Sequence, residues 1–127
     1  MKLAWVTGSE GFIGRHVWRL CQEAGYELCG LDLQNGEDCT LRADCDAAMQ
    51  DSPPDAVIHL AAWCRVGESV RRPLLYTHHN VRGVQTLLGA LEKVQFTGRL
   101  IFASTLLARH PGSSPYAASK AYGESLI

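Results

Sequence analysis

The sequence predicts an α/β domain built on a doubly wound parallel sheet of about five strands. Three observations lead there. Short apolar runs alternate with segments of helical period, a glycine-rich turn joins the first run to the first helix, and an acidic residue closes the second run. The 127 residues suffice for one domain, taken as residues 1–127, and 46% hydrophobic with 20% charged residues is ordinary for a globular chain.

Leu3–Thr7 reads as the first strand, short and apolar as a strand covered on both faces should be. The helix after it places Ile13, Val17, Leu20, Cys21 and Ala24 on one face, and Gly25 is set to stop it. Tyr26–Asp32 is the second strand. The polar stretch from Gln34 to Asp46 leaves room for only a very short third strand around Thr40-Leu41. Pro53-Pro54 breaks the chain before the fourth strand, Ala56–Leu60. A long helix is expected from Pro73 to Val94, with Val81, Val84, Leu88 and Leu91 on its buried face. Leu100–Ala103 forms the fifth strand, and Gly112–Pro115 leads into a last helix running to Ile127. A helix that ends on Leu126-Ile127 without a cap suggests a C-terminally truncated fold.

Composition excludes several classes. Twelve Lys plus Arg against thirteen Asp plus Glu give a net charge of −1, so the basic footprint of a nucleic-acid binder is missing. No apolar run approaches the ~18 residues of a membrane span, and the stretch before Gly8 is too short for a secretion signal. Five cysteines (Cys21, Cys29, Cys39, Cys45, Cys64) are an odd number without a C-x-x-C pair, which argues against a disulfide framework or a zinc site. Free thiols in a reducing, cytoplasmic compartment are the expectation. The adjacent His78-His79 diverge on a helix and imply no metal; His59, inside an apolar strand, reads as a satisfied core histidine, and Trp5, Trp18 and Trp63 as packing residues.

Chemistry is carried by two constellations. Thr7-Gly8-Ser9-Glu10-Gly11-Phe12-Ile13-Gly14 spaces Gly8, Gly11 and Gly14 three apart between strand and helix. Glycine allows a tight turn and close backbone approach, and the unpaired N–H groups opening the helix face an anion such as a pyrophosphate. No Lys-Ser or Lys-Thr follows, so the turn is not a P-loop. Asp32, 18 residues past Gly14, stands at the second strand's tip, where a carboxylate can accept from a ribose diol. Turn and acid together define a Rossmann-type dinucleotide site. No Arg follows Asp32, which favours NAD over NADP.

The second constellation is Tyr116 and Lys120, four apart and therefore on one face of the last helix. A phenol titrates near 10, and bringing it to ~7 needs about 4 kcal/mol of preferential stabilisation of the phenolate, which a nearby ammonium can supply. Ser104-Thr105, at the end of the fifth strand, offers a hydroxyl to the same reacting oxygen.

These motifs resemble those of the extended short-chain dehydrogenase/reductases, in particular the NAD-dependent nucleotide-sugar epimerase/dehydratase family. The turn is similar to its T-G-x-x-G-F-I-G, Asp55–Ala62 to its D-x-V-I-H-L-A-A strand, Asn80-Val81-Arg82-Gly83 to its N-V-x-G, and Ser114–Lys120 to its S-P-Y-A-A-S-K. Within the family, Val66-Gly67-Glu68-Ser69-Val70 followed by Pro73 is most similar to the UDP-glucose 4-epimerases, although Cys64-Arg65 stand where those often carry a lysine. The resemblance implies site residues. Backbone at Phe12 and Ile13 would hold the pyrophosphate, Asp32 the adenosine ribose, and Asp44 with Cys45 the adenine edge. Leu60, Ala61 and Ala62 would line the dinucleotide, Asn80 would fix backbone near the catalytic hydroxyls, and Lys120 would also bind the nicotinamide ribose. Tyr116 would be the base, Thr105 its partner, and the reaction a transient hydride transfer from a sugar carbon to NAD. A homo-oligomer through the 73–94 and 116–127 helices is expected, because their apolar faces seek cover. A second reading, from a different class, is a non-catalytic dinucleotide-binding or assembly module.

Overall fold

The computed structural model describes residues 1–49 and 53–127. Four parallel strands, β1 (Leu3–Thr7), β2 (Glu27–Leu31), β3 (Ala56–His59) and β4 (Arg99–Phe102), lie in the order β2-β1-β3-β4. Register places Trp5 beside Cys29 on one side and Val57 on the other, and Thr7 beside Leu31 and His59. The strand order turns back at β1, whose neighbours on its two sides are reached through helices. That opens a crevice beyond the carboxyl ends of β1 and β3, where ligands of such sheets collect.

Side-chain alternation divides the two faces of the sheet. Trp5 and Val57 point to the face covered by α2 (Arg42–Met49) and α5 (Gly83–Lys93), where Leu31, Cys45, Met49, Leu87, Ala90 and Leu91 complete one buried cluster. Each large side chain buried there contributes roughly 1.5–3 kcal/mol. Lys93 and Arg42 both pair with Asp46 (3.0 and 2.7 Å), tying α2 to α5 at the surface. The helix α1 (Phe12–Glu23) forms the crossover from β1 to β2 and ends at Gly25, as expected.

Two expectations need correction. The strand around Thr40-Leu41 does not form, so the sheet has four strands among the described residues. The Asp38 carboxylate accepts from the backbone N–H and the hydroxyl of Thr40 (2.8 and 2.7 Å), and Asp44 accepts from Asp38 N (2.7 Å). These local bonds turn the chain directly into α2, which the polar composition concealed. The Val66–Arg71 segment is also helical (α3).

The long helix is the second case. It is divided into α4 (Pro73–Tyr76), a π-helical turn over Thr77–Arg82, and α5. The wider turn rotates the buried stripe: Tyr76, Asn80, Val84, Leu87, Ala90 and Leu91 face inward, while Val81 and Leu88 are only half-buried. Such turns are frequent at functional sites. Here the turn brings the Asn80 amide to the Trp63 backbone. The last helix, α6 (Pro115–Leu126), starts where expected, with Ser114 Oγ accepting from Ala117 N (3.0 Å).

Candidate functional site

The glycine turn is shaped by contacts that leave no room for side chains. Gly8 has φ of 70°, and a Cβ there would meet Ala61 N at 2.9 Å. A Cβ on Gly14 would lie 2.0 Å from Gly8 O and 2.7 Å from Ser9 O. The first turn of α1 therefore presses against the loop that leaves β1. No side chain caps α1, whose N-cap is Gly11, and the N–H groups of Phe12, Ile13 and Gly14 find no acceptor among the described residues. Open donors at the positive end of a 12-residue helix form a ready anion seat. The side chains of Phe12 and Ile13 point to solvent, so only their backbone can serve this seat.

Beside it lies an open cleft of about 200 Å³, lined by Gly8, Gly11, Asp32, Leu60, Ala61 and Ala62, and also by Glu37, Asp38, Cys39, Trp63 and His79. Thr7 Oγ1 accepts from Ala61 N (3.2 Å) and meets His59 Nδ1 at 2.6 Å. His59 is thus a satisfied core histidine, and it holds the floor of the cleft through Thr7. Asp32 lies at the far side. Its two oxygens accept from Glu10 N and Gln34 N, both at 2.9 Å, and each oxygen keeps a lone pair for a ligand hydroxyl.

Asp44 and Cys45 do not line this cleft. Cys45 is fully buried in the α2–α5 core with its thiol turned to Cys39 O (3.4 Å), and burial pushes its pKa up to about 11. Asp44 lies in a neighbouring hollow with Cys29, Glu37, Ala47 and Ala48, where it accepts from Asp38 N. Asp38 and Cys39 take the cleft positions instead, because the chain enters α2 earlier than a third strand would have allowed. Trp63 and His79 were also missed. Their rings stack with centroids 4.8 Å apart at the cleft wall, and only the π-turn, invisible in the hydrophobic period, brings His79 there.

Asn80 is fixed by three bonds. Its Oδ1 accepts from Trp63 N (2.8 Å), and its Nδ2 donates to Trp63 O (2.8 Å) and Ser119 Oγ (3.0 Å). It therefore anchors the loop after β3 to α6. Tyr76 supports the same loop, its hydroxyl accepting from Arg65 N (3.0 Å) and donating to Glu68 Oε2 (3.1 Å). On α6, Tyr116 and Lys120 are both buried, with exposures of 9% and 4%. Lys120 Nζ donates to Ala103 O (2.7 Å) and lies 4.9 Å from the centre of the Phe102 ring. Burial lowers its pKa to about 8. The Tyr116 phenol is held above its ordinary value, first by burial and then by the Cys64 thiol, against which a hydrogen bond from Thr105 works. In this arrangement burial and the neighbouring Cys64 outweigh the Thr105 hydrogen bond, so the phenol stands above its ordinary value rather than below it. The Thr105 hydroxyl also caps the turn Leu106–Arg109 by accepting from Leu107 N (3.3 Å).

Among the described residues, no group of three or more His, Cys, Asp or Glu could hold a metal ion, and no helix is long and apolar enough to cross a membrane. Fold and cleft together define a Rossmann-type α/β domain with an uncapped helix N-terminus at its switch point. The sequence profile of the NAD dependent epimerase/dehydratase family matches residues 4–127, and the chain belongs to that family. It is 34% identical to the UDP-glucose 4-epimerase of Yersinia pestis over 96% of its length, covering 46% of that protein. The fold superposes on the UDP-glucose 4-epimerase of Brucella ovis, solved with NAD, at a TM-score of 0.89 and 29% identity, over all of this chain and 47% of the other. RMD from Pseudomonas aeruginosa, solved with NADPH, is similar at a TM-score of 0.81 and 28% identity, over 99% of this chain and 47% of that one. The chain spans about half the length of these relatives.

Proposed function

We propose that this chain binds NAD in the cleft and serves the reversible oxidation of a nucleotide-sugar carbon, as nucleotide-sugar epimerases and dehydratases do. The observation that carries the reading is the uncapped α1 N-terminus, whose open N–H groups border a cleft that ends at Asp32. A dinucleotide fits the residues present. The glycine contacts leave backbone bare for a diphosphate, and Asp32 has acceptor capacity for a ribose diol. Phe12, Ile13 and Gly14 would hold the diphosphate, and Leu60, Ala61 and Ala62 would pack along the ligand. Bound NAD would supply a two-electron acceptor for hydride from the sugar carbon.

The remaining chemistry belongs to the chain's own residues. Tyr116 Oη takes the proton of the sugar hydroxyl, and Thr105 orients that oxygen. Lys120, in its charged form, favours the phenolate. Asn80 positions Tyr116 and Lys120 indirectly, since it links α6 to the loop bearing Trp63 and Cys64. Solution in the cytoplasm and self-association through the 73–94 and 116–127 segments complete the reading. Leu74, Tyr122 and Leu126 are exposed on those segments and would be covered in a dimer.

Calorimetric titration with NAD tests the binding half, with saturable uptake expected. Adding a UDP-sugar to the NAD-loaded protein tests the chemistry: transient absorbance of reduced nicotinamide is expected, and Tyr116→Phe should abolish it while leaving NAD affinity intact. NAD uptake without that absorbance, for any UDP-hexose offered, supports the non-catalytic module instead. Sedimentation showing a monomer at high concentration refutes the self-association.

A further inference from the structure

The Asp32 end of the cleft carries more negative charge than gripping a ribose requires. Asp32 is itself partly compensated, because two backbone N–H dipoles point at its oxygens at 2.9 Å. A second carboxylate stands beside it. The left-handed residue Gly36 returns the chain after the short turn Leu33–Asn35, so that Glu37 N donates to Asp32 O (3.1 Å). The Glu37 side chain folds the same way: Oε2 lies 3.4 Å from Asp32 N, and the residue lines the cleft. Among the described residues, no cation pairs with Glu37, and neither Lys nor Arg lines the cleft.

We propose that Glu37 is a specificity-determining residue, whose carboxylate beside Asp32 admits dinucleotides with a free adenosine 2′-hydroxyl and rejects those with a 2′-phosphate. The inference rests on the cleft being the dinucleotide site. A ribose diol donates hydrogen bonds and is welcomed by carboxylates. A phosphomonoester has only acceptor oxygens and close to two negative charges, so it meets repulsion without a compensating donor. Asp32 cannot be the whole selector that an experiment isolates, because it would bind the diol of NAD and repel NADP at once. Glu37 separates the two effects: its carboxylate meets the Asp32 backbone N–H at 3.4 Å from a half-exposed position, while the Asp32 oxygens are the ones left to accept from the diol.

Isothermal titration of the full chain with NAD and with NADP, in wild type, Glu37→Gln and Glu37→Lys, tests this. NADP affinity should rise on the order of tenfold in Glu37→Gln and further in Glu37→Lys, with the gain shrinking as salt is added. NAD affinity and thermal midpoint should stay within about twofold and about 2 °C of wild type. An NADP affinity unmoved in both variants overturns the inference and leaves the dinucleotide site standing. NAD affinity falling in step with any change also overturns it, since Glu37 would then be a support of the turn. A folded wild type that takes up no NAD removes the site itself, and the inference with it.

Discussion

Replacing Gly14 with alanine isolates the close approach on which the anion seat depends. Gly14 lies in the first turn of α1 with ordinary helical geometry, so the substitution meets no backbone strain, and helix propensity alone favours alanine by about 1 kcal/mol. Sterics oppose it. The new Cβ would lie 2.0 Å from Gly8 O and 2.7 Å from Ser9 O, both backbone atoms, and relief needs a shift of more than about 1 Å between helix and loop. Overpacking against side chains costs about 1–3 kcal/mol, and backbone yields less readily, so a cost near or above 3 is expected. The net loss is then about 2 kcal/mol or more, near 8 °C in thermal midpoint for a chain of this size. The same shift misaligns the Phe12 and Ile13 N–H groups, so NAD affinity should fall at least about tenfold. Gly67→Ala in α3 is the matched control: nothing lies within 4 Å of its Cβ, and it should gain about 0.5–1 kcal/mol. Differential scanning calorimetry and NAD titration on both variants read these effects. Gly14→Ala melting with wild type and binding NAD normally would refute the account of the turn.

Asn80→Ala leaves the Trp63 N–H, the Trp63 carbonyl and Ser119 Oγ without their partner and should cost about 2–4 kcal/mol in chemical denaturation; a change below about 0.5 kcal/mol would contradict the anchoring role. His59 is held neutral, its pKa lowered to about 3 by burial and by the Lys120 charge. Its contribution to stability is complete above the unfolded value near 6.5 and is lost as pH falls from there toward 3, at about 1.4 kcal/mol per unit. Denaturation at pH 7 and 4.5 should show that slope, flattened in His59→Gln; equal slopes would remove His59 as its source. Lys120 acts with the same sign in a higher pH window. Burial lowers its pKa to about 8, so the folded state binds fewer protons between 8 and 10.5, and stability rises with pH across that range. Relative to Lys120→Met, the wild type should gain about 3 kcal/mol over it, and parallel pH profiles would show that the ammonium is not buried as described.

The sequence by itself determined the strand–glycine turn–helix unit and the second strand closed by Asp32. Local chemistry suffices there: a short apolar run, three glycines and an acid lie within one crossover unit, and few other structures satisfy them together. It likewise determined β3, β4 and the start of α6, where Pro115 follows the capping Ser114. Only the tertiary structure decided the rest, because it depends on contacts between residues far apart in the chain. The stretch after β2 is polar, so its helix follows from Asp38 and Asp44 capping a turn that must pack on α5. The Pro73–Val94 segment has a continuous helical period, yet it widens at Thr77–Arg82 to deliver the Asn80 side chain to Trp63 and Ser119, 17 and 39 residues away. The protonation of Tyr116 and Lys120 is decided in the same way. Their spacing on a helix was legible, but the dryness of their surroundings was not, and it lowers the lysine while raising the phenol.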